Sequence, residues 1–337
     1  APDMARLVAL GDADCTGHGD TLDQLKTGSD PCGTLMVTTD ISTSTTLAQA
    51  LQQGIAQGLN LLDAQLLLLY ALERSDSGRA WLLAHDTDTL DTSSLQRWRT
   101  LVQRRLDGEP IAYLRGHREF FGLDFAIDRR VLDPRPDTET LVEWALEIMP
   151  TLGASPAVCD LGTGSGAIAC AITRHAPYAQ VWATDASIDA LAVARHNARH
   201  LQLPVYFAQG HWFAALSNQH AAPRFELLVS NPPYIRVDDP HLKALRHEPM
   251  QALTSGADGL DDIRTLVDQA PAWLQPGGWL LLEHGYDQGD AVQALLTRRG
   301  FSQVQGRPDL SGIVRCSGGQ WCKDLPAIPG QNAPALR

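Results

Sequence analysis

The stretch that most constrains the fold runs from Ala157 to Ile172. Ala157-Val158-Cys159-Asp160-Leu161 is an apolar run holding one acid, Gly162-Thr163-Gly164-Ser165-Gly166 is a glycine loop, and Ala167-Ile168-Ala169-Cys170-Ala171-Ile172 opens a helix. A short, nearly continuous apolar run is the pattern of a strand buried on both faces, as in a parallel sheet. Glycines at alternate positions let the backbone turn tightly and come close to a ligand. Strand, glycine turn and helix in that order form the nucleotide-binding edge of a doubly wound α/β sheet. The dinucleotide fingerprint is GxGxxG and this loop is GxGxG, so the loop alone does not name its ligand. Val181-Trp182-Ala183-Thr184-Asp185 is the next strand, and it ends in an acid about twenty residues on, where a carboxylate holds a ribose diol. Loop and acid together predict a site for an adenosine-bearing ligand.

The alternation of strand and helix continues. The pattern predicts helices over 188–200, 262–274 and 288–299, and strands over 204–208, 225–229, 279–284, 301–304 and 313–316. Ligands of such sheets lie at the carboxyl ends of the strands. Two further loops fall there: Gln209-Gly210-His211-Trp212-Phe213 and Asn231-Pro232-Pro233-Tyr234.

The second loop gathers three unlike tools. The Asn231 amide accepts through oxygen and donates through nitrogen. Pro232 has no N–H, so its carbonyl is its one polar backbone group, and the ring holds the direction of that carbonyl. Tyr234 supplies a flat face. The combination suits a planar NH2 group, whose two hydrogens need two acceptors. Asn-Pro is also an ordinary turn signal, so the loop has a purely structural reading as well.

Upstream, Leu47, Leu51, Ile55, Leu59, Leu62, Leu66 and Leu69 recur at helical spacing, with Asp63 expected to cap the helix through the Leu cluster. Further helices are expected over 81–85 and 93–106. Together they make a small helical domain over 44–108 that carries no catalytic-looking cluster, which suggests recognition; a cap that only stabilises its neighbour is the plainer alternative. Alternation and aromatics over 109–125 predict a β-hairpin inside a linker spanning 109–133. Pro134-Arg135-Pro136-Asp137-Thr138-Glu139 is a stiff segment in which Thr138 or Asp137 is placed to cap a helix over 141–149.

Composition narrows the function classes. A formal charge of −12 opposes a broad, sequence-independent grip on nucleic acid. No apolar run approaches the ~20 residues that span a bilayer, and no signal-peptide pattern opens the chain, so a cytoplasmic location is expected. The six cysteines, Cys15, Cys32, Cys159, Cys170, Cys316 and Cys322, form no CxxC pair, so neither a zinc site nor a disulfide framework is expected. Residues 1–43 lack periodicity and read as a disordered extension, with Met36 a candidate natural start. Residues 318–337 read as a loose tail rich in Gly, Pro and Ala.

The glycine loop after an Asp-bearing strand, the acid after the next strand and Asn231-Pro232-Pro233-Tyr234 together resemble a class I S-adenosylmethionine-dependent methyltransferase. The helical start, Pro110-Ile111-Ala112-Tyr113-Leu114, Glu119-Phe120, Pro134-Arg135-Pro136-Asp137-Thr138-Glu139 and Leu282-Glu283-His284-Gly285 resemble, within that class, the HemK/PrmC release-factor glutamine methyltransferases. The resemblance covers about 45–316. It implies a Rossmann-like, seven-stranded methyltransferase domain over 134–317 with a reversed last hairpin. It implies a substrate, the glutamine of the Gly-Gly-Gln tripeptide in peptide chain release factors, methylated on its side-chain amide nitrogen. It places Asp160, Gly162, Thr163, Gly164, Gly166, Asp185, His211, Trp212 and Asn231 around S-adenosylmethionine, with Asp185 on the ribose. It places Asn231, Pro232, Pro233 and Tyr234 around the glutamine amide, with no metal required.

Three positions depart from the family pattern. His211 stands where an acid usually precedes Trp212. Asp133 replaces an aliphatic residue before Pro134. The tail spells Gly318-Gly319-Gln320, the tripeptide of the implied substrate, which reads as chance. Two alternatives share the amino-methylating loop: an enzyme acting on another protein glutamine, such as one of a ribosomal protein, and one acting on adenine N6 of DNA, which needs base flipping and phosphate contacts that the acidic charge opposes. An NAD-dependent oxidoreductase is disfavoured by the loop spacing, and a non-catalytic binding module on the same fold is the remaining class.

Overall fold

The computed structural model describes residues 44–217 and 222–322. The expected extension over 1–43 lies outside those residues.

The described chain opens with helices α1 (Leu47–Ala56), α2 (Leu61–Ala71), α3 (Gly78–Ala84) and α4 (Thr92–Leu106). A reciprocal capping box starts α1: the Gln49 N–H donates to Thr46 Oγ1 at 3.2 Å and the Thr46 N–H to Gln49 Oε1 at 3.0 Å. The cap of α2 is Asn60, not Asp63 as the pattern suggested. Asn60 has the extended backbone that a cap requires and accepts the Asp63 N–H at 2.8 Å, while the Asp63 carboxylate, inside the first turn, takes Arg105 Nε at 2.7 Å. These helices enclose a separate apolar core around Leu67, Leu68, Leu82, Trp98 and Val102. Gly54 belongs to that core because a Cβ there would stand 2.7 Å from the Trp98 ring.

A short helix α5 (Ile111–Arg115) precedes the hairpin β1 (His117–Phe120) and β2 (Leu123–Ala126), so the linker begins as helix rather than strand. Gly116 ends α5 in the left-handed conformation. The hairpin turns through Phe121 and Gly122, both at positive φ, as a tight turn matched to strand twist requires.

The rest is one doubly wound unit. Its elements are α6 (Glu139–Ile148), β3 (Ala157–Leu161), α7 (Ala167–His175), β4 (Gln180–Asp185), α8 (Ile188–His200), β5 (Tyr206–Gln209), α9 (Ala214–Ser217), β6 (Phe225–Ser230), α10 (Asp261–Gln269), β7 (Leu274–Glu283), α11 (Gly289–Arg299), β8 (Ser302–Pro308) and β9 (Val314–Trp321). The seven strands lie in the order β5-β4-β3-β6-β7-β9-β8, and β9 alone among them runs opposite to the other six. Alternate residues of the central strands face opposite layers. Val158, Leu227, Val229 and Leu281 pack with Leu141 and Ile168, whereas Cys159, Leu161, Leu228 and Leu280 pack with Ile263, Leu266, Val292 and Leu296. The strand order reverses between β3 and β6, and that reversal opens the crevice in which such sheets hold ligands.

The expected loose tail is corrected at its start. Gly318-Gly319-Gln320 lies in β9, hydrogen-bonded between β7 and β8. A Cβ on Gly318 would meet Leu281 Cδ2 at 2.5 Å and Trp144 Cη2 at 2.8 Å. Glycine composition suggested a loop, but here the missing side chains let β9 pack under Trp144. Residues 323–337 lie outside the described residues. Likewise the helix expected over 262–274 is shorter: α10 stops at Gln269, and β7 already runs from Leu274 through Pro276-Gly277-Gly278.

Candidate active site

The glycine loop leaves β3 with Gly162, Gly164 and Gly166 all in the left-handed region. A Cβ on Gly162 would stand 3.0 Å from the Trp212 ring, and one on Gly166 would stand 3.2 Å from Ala194 Cβ of α8. Beneath the loop Asp160 is fully buried and accepts the Thr163 hydroxyl at 2.6 Å and the Ala169 N–H at 3.2 Å. Burial pushes its pKa up to about 7, against the pull of those two donors. Asp160 therefore shapes the loop from below. Asn197 of α8, also buried, donates to Ser165 O at 2.9 Å and Ala126 O at 3.1 Å and accepts the Ala126 N–H at 2.9 Å, which ties loop and hairpin together.

Asp185 ends β4. One carboxylate oxygen accepts the Gly164 N–H at 2.9 Å and the other the Ser187 N–H at 2.8 Å. Burial raises its pKa, and these backbone donors work against the rise. The next loop brings His211 and Trp212; Trp212 is held at a positive φ, and its indole N–H donates to Asp262 Oδ1 at 3.0 Å.

At the end of β6 the Ser230 hydroxyl donates to Leu161 O at 2.6 Å. Asn231 follows, and its Nδ2 donates to Thr138 Oγ1 at 3.1 Å. Thr138 was expected as a helix cap. It makes no capping bond to α6, because its hydroxyl is turned to Asn231 instead. Pro232 is buried. Tyr234 turns inward: its hydroxyl donates to Glu283 Oε1 at 3.3 Å, and Gln288 Nε2 holds its carbonyl at 3.0 Å. Glu283, at the end of β7, is fully buried, and burial pushes its pKa up to about 7, while the neighbouring Thr138 and Tyr234 hydroxyls act to lower it.

These loops surround a cavity of about 360 Å³. Of the residues the sequence proposed, Gly162, Thr163, Gly164, Asp185, His211, Trp212, Asn231 and Pro233 line it, and Asp160, Gly166, Pro232 and Tyr234 are their neighbours in the same loops. The cavity suits a nucleoside-bearing cofactor: glycine backbone on one side, the Asp185 carboxylate at the edge, the Trp212 ring beside Gly162. Among the described residues no group of three or more His, Cys, Asp or Glu is placed to hold a metal ion. No helix among them is long and apolar enough to cross a membrane.

Sequence reasoning missed several members. Thr138 and Asp262 line the cavity, as do Pro249, Gln251, Ala252 and Thr254 of the segment following Tyr234. That segment is pinned by backbone bonds between Ile235 and Leu253 and between Ser255 and Ile235, each 2.9 Å. It is also pinned by buried Glu248, which meets Arg135 Nη2 at 2.5 Å. Asp133 joins this network: it lies 3.6 Å from Arg118 and 3.8 Å from Arg135, and burial raises its pKa while both guanidiniums oppose the rise. The departure at that position therefore has charged partners. A second, wider cleft of about 840 Å³ joins the cavity at Arg130, Ser187, Pro249 and Gln251, and runs to Arg104 and Glu109 at the end of the helical region.

Two family models match the chain: the PrmC N-terminal domain over residues 46–116 and the Methyltransferase small domain over residues 138–289. The chain is 50% identical over 264 residues to the release factor glutamine methyltransferase of Bordetella pertussis, covering 78% of this chain and 95% of the relative. It is 50% identical over 273 residues to that of Burkholderia pseudomallei, covering 79% and 93%. It is 47% identical over 277 residues to that of Xylella fastidiosa, covering 80% and 98%.

Proposed function

Because the chain belongs to the release factor glutamine methyltransferases, we propose a division of labour among its residues. The enzyme uses S-adenosylmethionine to methylate the side-chain amide nitrogen of the glutamine in the Gly-Gly-Gln motif of peptide chain release factors, which serves translation termination. The observation that carries the site assignment is the placement of Asn231 on the wall of the cavity whose other walls are the glycine loop and Asp185.

Bound S-adenosylmethionine supplies a methyl made electrophilic by its sulfonium. Asp185 receives the ribose hydroxyls on lone pairs that Gly164 and Ser187 leave free, and Gly162, Thr163 and Gly164 form the floor of the cofactor site. His211 and Trp212 border the base. The amide nitrogen of glutamine is a poor nucleophile because its lone pair is delocalised. Asn231 Oδ1 and the Pro232 carbonyl accept its two hydrogens, which orients the nitrogen and stabilises the positive charge that grows on it. Pro233 borders the amide, and Tyr234 holds the turn from behind. The region 44–108 docks the release factor away from its glutamine, and the cleft between Arg104 and Arg130 is the route by which the chain carrying that glutamine enters. The enzyme acts in the cytoplasm, on protein and not on nucleic acid.

The test incubates the protein with labelled S-adenosylmethionine and three acceptors: release factor, release factor with the Gly-Gly-Gln glutamine changed to alanine, and duplex DNA. Label is expected on the first alone. Label on the altered factor or on DNA would overturn the assignment.

A further inference from the structure

An indole has one polar atom, a ring N–H that only donates. Where a tryptophan ring serves as a flat wall, the group that accepts that hydrogen helps to set the tilt of the ring. In Trp212 the hydrogen goes to Asp262 Oδ1 at 3.0 Å, fifty residues on.

We propose that Asp262 is a positioning residue of the cofactor site: it holds the Trp212 ring against the glycine loop, where that ring is the wall for the cofactor's base. This rests on the assignment of Trp212 above. Trp212 has a backbone that bulky side chains disfavour, with φ at 46°. Such a conformation persists where the surroundings over-determine it. The six-membered end of the ring lies so near Gly162 that a Cβ there would stand 3.0 Å from Cζ3 and 3.3 Å from Cη2. The five-membered end carries the N–H that Asp262 accepts. The ring is therefore held at both ends.

Asp262 is fixed in its turn. Its own N–H donates to Ser255 Oγ at 2.8 Å, and the buried Ser255 donates its N–H to Ile235 O at 2.9 Å. Ile235 directly follows Tyr234. A series of contacts thus runs from the loop after β6 to the loop after β3, through Ser255, Asp262 and Trp212. Gly162, Trp212 and Asp262 all line the cavity. With the ring so held, the base meets a wall already in place, and binding loses no side-chain freedom in making one. Asp262 also lies in the first turn of α10, where an acid favours the helix by itself. The experiment must separate that role from the one proposed.

Calorimetry measures the affinity for S-adenosylmethionine without release factor, and the methylation assay measures kcat at saturating cofactor. The variants are Asp262→Ala, Asp262→Asn, Trp212→Phe, Trp212→Ala, and Asp262→Ala combined with Trp212→Phe. Asp262→Ala is expected to weaken cofactor binding about tenfold, with kcat at saturation within about threefold of wild type. Asp262→Asn drops the charge that favours α10 but keeps an oxygen for the indole, and is expected to bind the cofactor within about threefold of wild type. Trp212→Phe keeps a ring without the N–H and should weaken binding likewise. Adding Asp262→Ala to it should cost nothing further, because no N–H remains to hold. Equal losses in Asp262→Ala and Asp262→Asn, or penalties that add in full in the double variant, would overturn the role of Asp262 and leave Trp212 beside the base. Wild-type affinity in Asp262→Ala while Trp212→Ala binds weakly would do the same. Unchanged affinity in Trp212→Ala would overturn the assignment of Trp212 and the proposal with it. Should Asp262→Ala not fold, Trp212→Phe breaks the same bond from the other side, and wild-type affinity there is the overturning result.

Discussion

Asp185 Oδ2 accepts the Gly164 N–H at 2.9 Å, so the acid that ends β4 and the glycine loop that ends β3 form one unit. With Asp185 proposed to hold the ribose, Asp185→Ala removes that proposed cofactor contact together with an observed support of the loop. Its affinity for S-adenosylmethionine is expected to fall by about 1.5–3 kcal/mol from the lost charged hydrogen bond alone, and by more once the loop relaxes. Asp185→Asn keeps an acceptor for Gly164 and is expected to lose less. Titration calorimetry measures both, and unchanged affinity in Asp185→Ala would remove Asp185 from the cofactor site.

Asn231→Ala is expected to bind the cofactor normally and to turn over roughly 10²–10³ times more slowly, as when one aimed hydrogen bond to a transition state is lost. Asn231→Asp keeps an oxygen acceptor of similar shape and should retain more activity than Asn231→Ala. Steady-state rates at matched thermal stability check this. Loss of activity only in proportion to unfolding would mark Asn231 as structural.

Removal of residues 44–108 is expected to abolish methylation of intact release factor while leaving cofactor affinity largely unchanged. The helical core around Leu67 and Trp98 is separate from the two cores that flank the sheet. Calorimetry and the methylation assay on the shortened chain decide it; a normal rate on intact factor would end the docking role.

Stability should fall as pH rises from about 4 to 7. Asp160 and Glu283 have ordinary values of 3.8 and 4.5, and burial raises each to about 7 in the folded protein. Over that window the folded state holds protons that the unfolded chain has released, so raising the pH favours unfolding. The loss is complete above about pH 7. Asp160→Asn and Glu283→Gln should each flatten the dependence, measured by denaturant midpoints at pH 5 and pH 8. Equal slopes in variants and wild type would contradict the burial argument.

Gly318→Ala should destabilise by about 1–3 kcal/mol, because a Cβ there collides with Leu281, Trp144 and the Leu280 carbonyl of the next strand. A wild-type melting temperature would show that β9 has more room than its contacts indicate.

The parts of this structure legible in the sequence are those carried by local pattern. The run from Ala157 to Ile172 states its strand, turn and helix within sixteen residues, and Asp185 lies where the spacing places it. What was missed depends on partners far along the chain. Thr138 looks like a cap because its sequence neighbours open a helix, but its partner is Asn231, ninety-three residues on. Gly318 and Gly319 look like a loop because glycine weakens strands in general; only the packing of Trp144 and Phe301 over them shows why a strand there must be bare. Asn60 and Asp63 are both acceptable caps by type, and the choice went to Asn60 because Arg105, forty-two residues from Asp63, claims the Asp63 carboxylate. The residues 249–254 carry no motif and reach the cavity only through the backbone pairing of Ile235 with its return segment.

The hydroxyl of Ser230 on Leu161 O joins the carboxyl ends of two adjacent parallel strands, β6 and β3. Adjacent strands stand about 4.8 Å apart throughout any sheet. The loop proposed to cradle the methyl donor and the loop proposed to present the acceptor amide thus start from rungs of one ladder. The spacing of the two strand ends from which those loops start is set by the repeat of the polypeptide backbone, like a gauge cut into the frame, and loop substitutions leave that gauge untouched. Only a slip in register would reset it, and a slip of one residue would turn Val158, Leu227 and Val229 out of their own layer of the core.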